Sequence, residues 1–480
     1  MTGTIKPKKQ NTLSPKTKKH IRLIEKTYQS NTNSDYTEQM EALGKNFDYQ
    51  SNCNCYWGEP EFSTLYGTPL YQAASPAQKL ALNHLYWVGQ YNHTANAEAN
   101  TILYNRVTTG VFANIEGCER LAEELQFETD QEYYHIKTFQ RVGYKTKMAL
   151  QGKEGLGTSF IKQRSKFAKQ NWYDKLLNKT QRCDPASTKG VRERSSRQRS
   201  LFKNASLPSQ TWQDSVLRSA TRMMYLNQKQ HYSQYLAERE HEPIPTTTGG
   251  IAGYTASPSV FKFLTLNWGS SPFMACNYYT MRMVANMSLK TYEHQYFKRY
   301  RDLEKKGEYI PAPTAISYYH MLDESFHTTM SQTIAQEVYK DFAKPTPYEK
   351  FLANTVVLRG QHGVLGGLSG WLPATFRDDA SFMPSLYRLL QSPLFAMSSP
   401  EALEWMEKCL CTEHEGFHTN LKHHQSLLTD FRRFFSRLDY LWPVNREMRV
   451  MATGGSIERA LAINTKAFDR FSRSLTAEMK

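Results

Sequence analysis

The sequence is short of the features that most readily identify a protein. Its seven cysteines (Cys53, Cys55, Cys118, Cys183, Cys276, Cys409, Cys411) contain no CxxC pair, so neither a disulfide framework nor a usual zinc knuckle is written into it. The two CxC pairs, Cys53/Cys55 and Cys409/Cys411, are spaced unlike zinc ligands, and reduced structural thiols are expected. No apolar run approaches the roughly 20 residues a membrane-spanning helix needs. No short apolar segment follows the N-terminal charges as a secretory signal would, so a soluble, cytoplasmic protein is expected. Strand-like alternation, internal repeats and phosphate-cradling glycine loops are also missing, which removes sheet folds, solenoids and nucleotide-phosphate chemistry.

Acidic residues are scarce relative to basic ones. Lys and Arg number 60 against 45 Asp and Glu, a net charge of +15 in 480 residues. The excess is concentrated: between Gln151 and Asn204 there are 14 basic and 4 acidic residues. The middle of that stretch, STKGVRERSSRQRSLFK, has little apolar periodicity and reads as an exposed loop. Such a surface suits an acidic partner, either a carrier protein or nucleic acid. Aromatic interleaving is thin and no nucleic-acid motif accompanies it, which favours the carrier.

What remains is helical. Leu80, His84, Trp87, Val88, Tyr91, Ala95, Glu98 and Ile102 recur at helical spacing between about Ala77 and Thr109, and a second helix is expected from about Ile115 to Met148. Further helices are expected near 212–240, up to the EKKG sequence ending at Gly307, and from IPAPTAIS onward, where proline pre-sets the first turn. The fold expected is all-α: a ferritin-like four-helix bundle core with a dinuclear metal site, extra helices and a long basic insertion. Its expected divisions are a partly disordered basic arm (1–60), the first bundle half (61–150), a basic insertion with an extra helix (151–260), the second bundle half (261–345) and a C-terminal helical extension (346–480).

The segment SYYHMLDESFHTTM carries the chemistry. His320, Glu324 and His327 lie at i, i+4 and i+7, so two imidazoles and a carboxylate share one helix face. Glu-x-x-His alone proves little, since four such pairs occur: Glu132/His135, Glu238/His241, Glu324/His327 and Glu415/His418. Bundle geometry chooses between them. Carboxylate-bridged dimetal sites take a Glu from each of two helices and Glu-x-x-His from each of two others, and in an antiparallel pair, ligands at equal height are equidistant from the joining turn. Glu98 and Glu132 are centred on Ile115, between Gly110 and Gly117; Glu293 and Glu324 are centred within KKGEYIPAP. Glu415/His418 lacks a glutamate at the matching upstream distance. The expected metal ligands are therefore Glu98, Glu132, His135, Glu293, His320, Glu324 and His327. This oxygen and nitrogen set without thiolate suits iron or manganese, and Asp323 is placed to support a ligand histidine.

These residues resemble the AurF-type di-iron oxygenases, whose pattern is a Glu, then Glu-x-x-His, then a Glu followed 27 residues later by His-x-x-x-Glu-x-x-His. Glu98, Glu132/His135, Glu293 and His320/Glu324/His327 follow it, with His320 as the distinctive third histidine. The chain departs from the usual AurF length by separating His135 from Glu293 with a long segment. In length, basic surface and lack of an amine-recognition motif it looks most like the cyanobacterial cylindrocyclophane-type (CylC-like) dimetal halogenases. The resemblance implies an O2-dependent halogenase acting on an unactivated carbon of a carrier-bound fatty acyl chain. It also implies two transition-metal ions (Fe/Fe, with Mn/Fe as the alternative), an external reductant and electron donor, halide, and an acidic acyl carrier protein docking on residues 151–204. Aryl-amine N-oxygenation is the competing chemistry, and a non-catalytic metal-binding bundle is the non-enzymatic alternative; a homodimer is left open. Ile102, Phe139, Leu289 and Phe297, one turn from ligands, would suit an alkyl chain or ordinary core packing equally well.

Overall fold

The computed structural model describes residues 18–152, 207–225, 232–246, 257–363, 365, 368 and 382–478. Among these residues every regular element is a helix. Two long antiparallel hairpins form the centre: α3 (Pro76–Phe112) with α4 (Glu119–Gln151), and α7 (Pro272–Lys306) with α8 (Ala312–Gln336).

Local sequence sets where these helices begin and end. Ser75 and Gln78 form a reciprocal capping box at the start of α3, with Pro76 in the first turn. The Ser271 hydroxyl accepts from the Met274 N–H at the start of α7, again ahead of a proline. Helix α7 stops at Gly307, whose φ of 65° is left-handed, a conformation that costs glycine little and other residues more. The turn between α3 and α4 contains Ile115, and the turn between α7 and α8 contains Glu308 and Tyr309. Both pairs of expected ligands therefore straddle turns of the structure.

The hairpins pack across α3 and α7. Their shared interior is aromatic: Trp87, Tyr91, Phe139, Tyr292, Tyr296 and Ile316 belong to one buried cluster. Specific polar contacts fix the register. The Trp87 Nε1–H donates to Ser317 Oγ at 2.8 Å, and the Thr94 and Tyr292 hydroxyls meet at 2.5 Å. A second cluster joins α7 to α9 (Pro347–Gly363) and α12 (Glu415–Phe435) through residues such as Tyr279, Val357 and Phe431. The C-terminal extension also contains α10 (Phe382–Leu390), α11 (Ser399–Cys411) and α13 (Ile457–Glu478), and α11 packs on α13.

Two sequence expectations are refined. The basic arm is folded from residue 18 onward: α1 (Lys19–Asn33) and α2 (Thr37–Asn46) lie against α4 and α8. Their charges hid the pattern, because only Ile24, Thr27 and Asn31 of α1 are buried, at near-helical spacing. The single helix expected near 212–240 is instead α5 (Leu207–Met224) and a short turn of helix at Gln234–Glu238. Nearly all of the strongly basic stretch 151–204 lies outside the described residues, as do residues 226–231 and 247–256 of the insertion. So does Cys183.

Candidate metal centre

Helix α3 carries Glu98, α4 carries Glu132 and His135, α7 carries Glu293, and α8 carries His320, Asp323, Glu324 and His327. All eight are buried; the three histidines and Asp323 have no exposed surface. Glu98, His135, His320 and Glu324 each place one donor atom within 4.8 Å of the others. Glu132, Glu324 and His327 do the same. Glu324 belongs to both groups, which is the arrangement a carboxylate shared between two neighbouring ions requires. These groups could hold metal ions, and no cysteine takes part in a metal-competent cluster among the described residues.

The imidazoles are individually oriented. His327 Nε2 faces the Gln131 side-chain oxygen at 3.0 Å, leaving Nδ1 at 2.8 Å from Glu324 and 3.5 Å from Glu132. His135 Nε2 faces Asp323 at 3.3 Å, leaving Nδ1 at 3.4 Å from Glu132. His320 is held on both sides, by Glu293 at Nδ1 (2.6 Å) and Glu98 at Nε2 (2.9 Å). Asp323 is itself tethered, accepting the Tyr36 N–H at 3.3 Å. Glu293 stands beside His320 and outside both convergent groups. The other sequence pairs lie elsewhere: His418 is half-exposed and pairs with Glu413, and Glu238 ends the short helix Gln234–Glu238.

A buried layer that the ligand spacing did not reveal supports this core. The Arg282 guanidinium donates to Glu128 at 2.6 Å and to Glu132 at 3.4 Å. Asn31 of α1 donates to Glu124 at 3.0 Å and to Gln131 at 3.2 Å. One signal was available: Glu124, Glu128, Glu132 and His135 continue a single stripe along α4, and a stripe leading into a metal site is not an ordinary solvated face. Of the apolar neighbours, Ile102, Phe139 and Leu289 are buried, and Phe139 stands edge-on to the His320 ring at 4.9 Å. Phe297 is only half-buried and stacks on Tyr318 at 5.1 Å.

Buried atoms without hydrogen bonds are consistent with a donor set that could hold metal. Glu98 Oε2, Glu132 Oε2 and His135 Nδ1 are buried without a hydrogen-bond partner, an arrangement that costs stability unless something satisfies them. The electrostatics agree. Burial, with the Glu132 charge, pushes Glu98 up to about 7. Burial opposes charging His135 and His327, yet Asp323 and Glu132 raise the first to about 9 and Glu324 and Glu128 raise the second to about 10. Against the same burial penalty, Glu293 and Glu98 hold His320 well above its ordinary range. The metal-free cluster thus stores protons in place of cations.

The whole chain supplies a second finding. A family model described as acyl halogenase, CylC-like, matches residues 19–472. The chain belongs to the CylC-like acyl halogenase family. The matched span runs from the first residue of α1 into α13, so it includes the bundle, the stretch between its halves and the C-terminal helices. Family membership supports a halogenating enzyme and is consistent with a metal-dependent one. No curated protein and no solved structure matches the chain. No described helix is long and apolar enough to cross a membrane.

Loading the site has an expected proton stoichiometry. A histidine ligates as neutral imidazole. Each raised pKa means an imidazolium below that value in the metal-free protein, so at pH 7.5 metal uptake should release about three protons from the histidines, with a further fraction from Glu98. The charge-pair stability of the metal-free state is lost as pH rises through about 9 to 10, where His135 and His327 deprotonate, and apparent metal affinity should climb over the approach to that interval. Titration of metal into weakly buffered protein with a pH indicator checks this. Proton-neutral uptake would contradict it.

Proposed function

We propose that this protein is an O2-dependent dinuclear metal halogenase that modifies an unactivated C–H position of a carrier-bound fatty acyl chain. The observation that carries the reading is the pair of buried His/Glu groups sharing Glu324, found in a chain whose family is that of acyl halogenases. Glu98, Glu132, His135, Glu293, His320, Glu324 and His327 are the proposed ligands. When bound, two iron ions, or one manganese and one iron, would supply oxidising chemistry with O2, an external reductant and halide.

The chain's own residues prepare that chemistry. Glu324 lies between the two donor groups. Asp323 and Gln131 engage the Nε2 atoms of His135 and His327, so their Nδ1 atoms face the cluster. Arg282 fixes the carboxylate of Glu132 and offsets its charge. Trp87, Tyr91, Phe139, Tyr292 and Tyr296 are fully or almost fully buried around the α3–α7–α8 side, and they exclude water from one flank of the site. Three histidines in one cluster suit retained catalytic metal better than stored metal awaiting release.

The carrier is proposed from charge: the strongly basic stretch 151–204 complements an acidic acyl carrier protein. Turnover of the same fatty acid, free and carrier-bound, is the test, with an aryl amine as competitor substrate. Halogenated product should form from the carrier-bound chain, at a rate that falls steeply with salt. Replacing Arg192, Arg194, Arg197 and Arg199 with Glu should weaken carrier binding and leave metal content unchanged. Equal turnover of free acid, indifferent to these replacements, would remove the carrier, and amine oxidation without halide would replace the chemistry.

A further inference from the structure

An aromatic line runs outward from the metal centre on the α3 side. The His320 ring meets the Tyr91 ring edge-on, with centroids 5.9 Å apart. Tyr91 lies 4.4 Å from Trp87, Trp87 lies 5.8 Å from Trp57, and Trp57 lies 6.2 Å from Tyr49. Tyr91, Trp87 and Trp57 have no exposed surface, whereas Tyr49 is half-buried and keeps part of its surface in solvent.

The outer end of the line carries a base. The Tyr49 hydroxyl lies 3.0 Å from His84 Nδ1, and His84 Nε2 lies 2.9 Å from the Cys55 backbone oxygen. A carbonyl oxygen only accepts, so Nε2 holds the imidazole hydrogen and Nδ1 accepts from the phenol. His84 also stacks on Trp57, with centroids 4.2 Å apart. Burial holds His84 down at about 4 and pushes the Tyr49 phenol up, so both are neutral at pH 7. The indoles differ: Trp57 Nε1–H donates to the Asn52 backbone oxygen and Trp87 Nε1–H to Ser317 Oγ, and neither acceptor is a base. Core packing accounts for the rings, and the base at the outermost phenol gives them a chemical direction.

We propose that Tyr49 is a redox-active tyrosine, with His84 as its proton acceptor, through which electrons enter the metal centre along Trp57, Trp87 and Tyr91. One electron leaves Tyr49 and reaches an oxidised transition-metal ion of the centre, lowering its oxidation state by one. An oxidised phenol is strongly acidic, so its proton passes to His84 Nδ1 even though burial weakens that base. A neutral tyrosyl radical and an imidazolium remain. A one-electron donor at the surface then reduces the radical, and His84 returns the proton, so the net change is one electron from donor to metal. An electron needs no open channel: rings in contact carry it through a packed interior that admits no substrate. The destination of the electron rests on the metal-centre reading above; the Tyr49–His84 pair does not depend on it.

Two measurements on the full-length protein separate these claims. In the first, a ruthenium polypyridyl sensitiser with an electron-accepting quencher oxidises the protein on a light flash, without metal loading, and electron paramagnetic resonance reads the radical. The parent should form a neutral tyrosyl radical that Tyr49→Phe lacks. His84→Gln, which keeps a hydrogen-bond acceptor but not a base, should shorten its lifetime by about tenfold. A radical unchanged in Tyr49→Phe, arising on exposed rings such as Tyr144, overturns the redox tyrosine. In the second, iron-loaded, oxidised protein without substrate is mixed with ascorbate, and the absorbance of the metal centre gives its rate of reduction. Tyr49→Phe and Trp87→Phe should slow it by about tenfold or more at unchanged metal content. Trp268, the last residue of α6 (Pro258–Trp268), packs off the line on Tyr104 at 4.5 Å and Tyr278 at 5.2 Å, and Trp268→Phe should be reduced at the parental rate. If Trp87→Phe does not fold, Tyr49→Phe, which removes one oxygen, carries the test. A parental rate in Tyr49→Phe overturns the conduit. A Tyr49 radical in protein that takes up no iron keeps the redox pair, and overturns the metal-centre reading and the conduit with it.

Discussion

Glu324→Ala is expected to remove nearly all bound metal, from about two ions per chain in the parent protein to well under one. Glu324 is the only residue common to both donor groups, so its loss opens both at once. The comparison variants should be milder. Glu98→Ala breaks only the group with His135 and His320, and Glu132→Ala most directly affects the group with His327. Glu293→Ala should cost less than any of these if its main part is to hold His320 Nδ1, and as much as Glu98→Ala if it ligates directly. Elemental analysis after anaerobic loading and desalting, with circular dichroism as a fold control, reads the series. Parental metal content in Glu324→Ala would contradict the shared-carboxylate centre.

The largest stability effect is expected at Arg282, which is not among the expected ligands. Its guanidinium is buried between Glu128 and Glu132; burial opposes its charge, but those two carboxylates and the flanking Tyr278 hold its pKa above even the usual arginine range. Arg282→Met removes the cation that Glu128 and Glu132 share and leaves the buried Glu128 without an ion-pair partner among the described residues. Removing one member of such a buried set costs about 3–5 kcal/mol, because the remaining charge stays desolvated. Urea unfolding of the metal-free protein should show a loss of that size. The double variant Glu128→Gln/Arg282→Met should recover part of it, since the uncompensated charge is reduced. Independent, additive losses would mean that the pair is not energetically coupled.

The hairpin geometry was legible because antiparallel helices impose a simple rule: side chains at one height are equidistant from the turn. Glu98 and Glu132 obey it about the loop after Phe112, and Glu293 and Glu324 obey it about Gly307 to Pro311. The same rule set aside Glu415/His418, whose histidine is indeed half-exposed. What spacing could not show was orientation. Whether Glu293 faces the other carboxylates or the far side of His320 depends on side-chain torsions, and the structure places it against His320 Nδ1. Arg282 was hidden for a related reason: it is 11 residues before Glu293 on α7, three helical turns along the same face, and a lone arginine on a helix usually reads as surface. Helix α1 was masked by composition, since Lys19, His20, Arg22 and Lys26 mark it as part of a charged arm while Asn31 reaches the layer beneath His327. The start of the short helix Gln234–Glu238 is set against α3: Gly110 allows Ser233 and Tyr235 so close that an added methyl would lie 2.6 Å from Ser233 Oγ.

Halide dependence of the product is the most direct measurement of the central claim. Metal-loaded protein, O2, reductant and a carrier-bound fatty acyl substrate should give a product whose mass and isotope pattern carry one chlorine or bromine, and omitting halide should abolish it. His320→Ala and His327→Ala, checked for folding, should lose the same product along with their metal. Oxidised amine formed at full rate without halide, with no halogenated acyl product under any condition, would contradict the halogenase assignment.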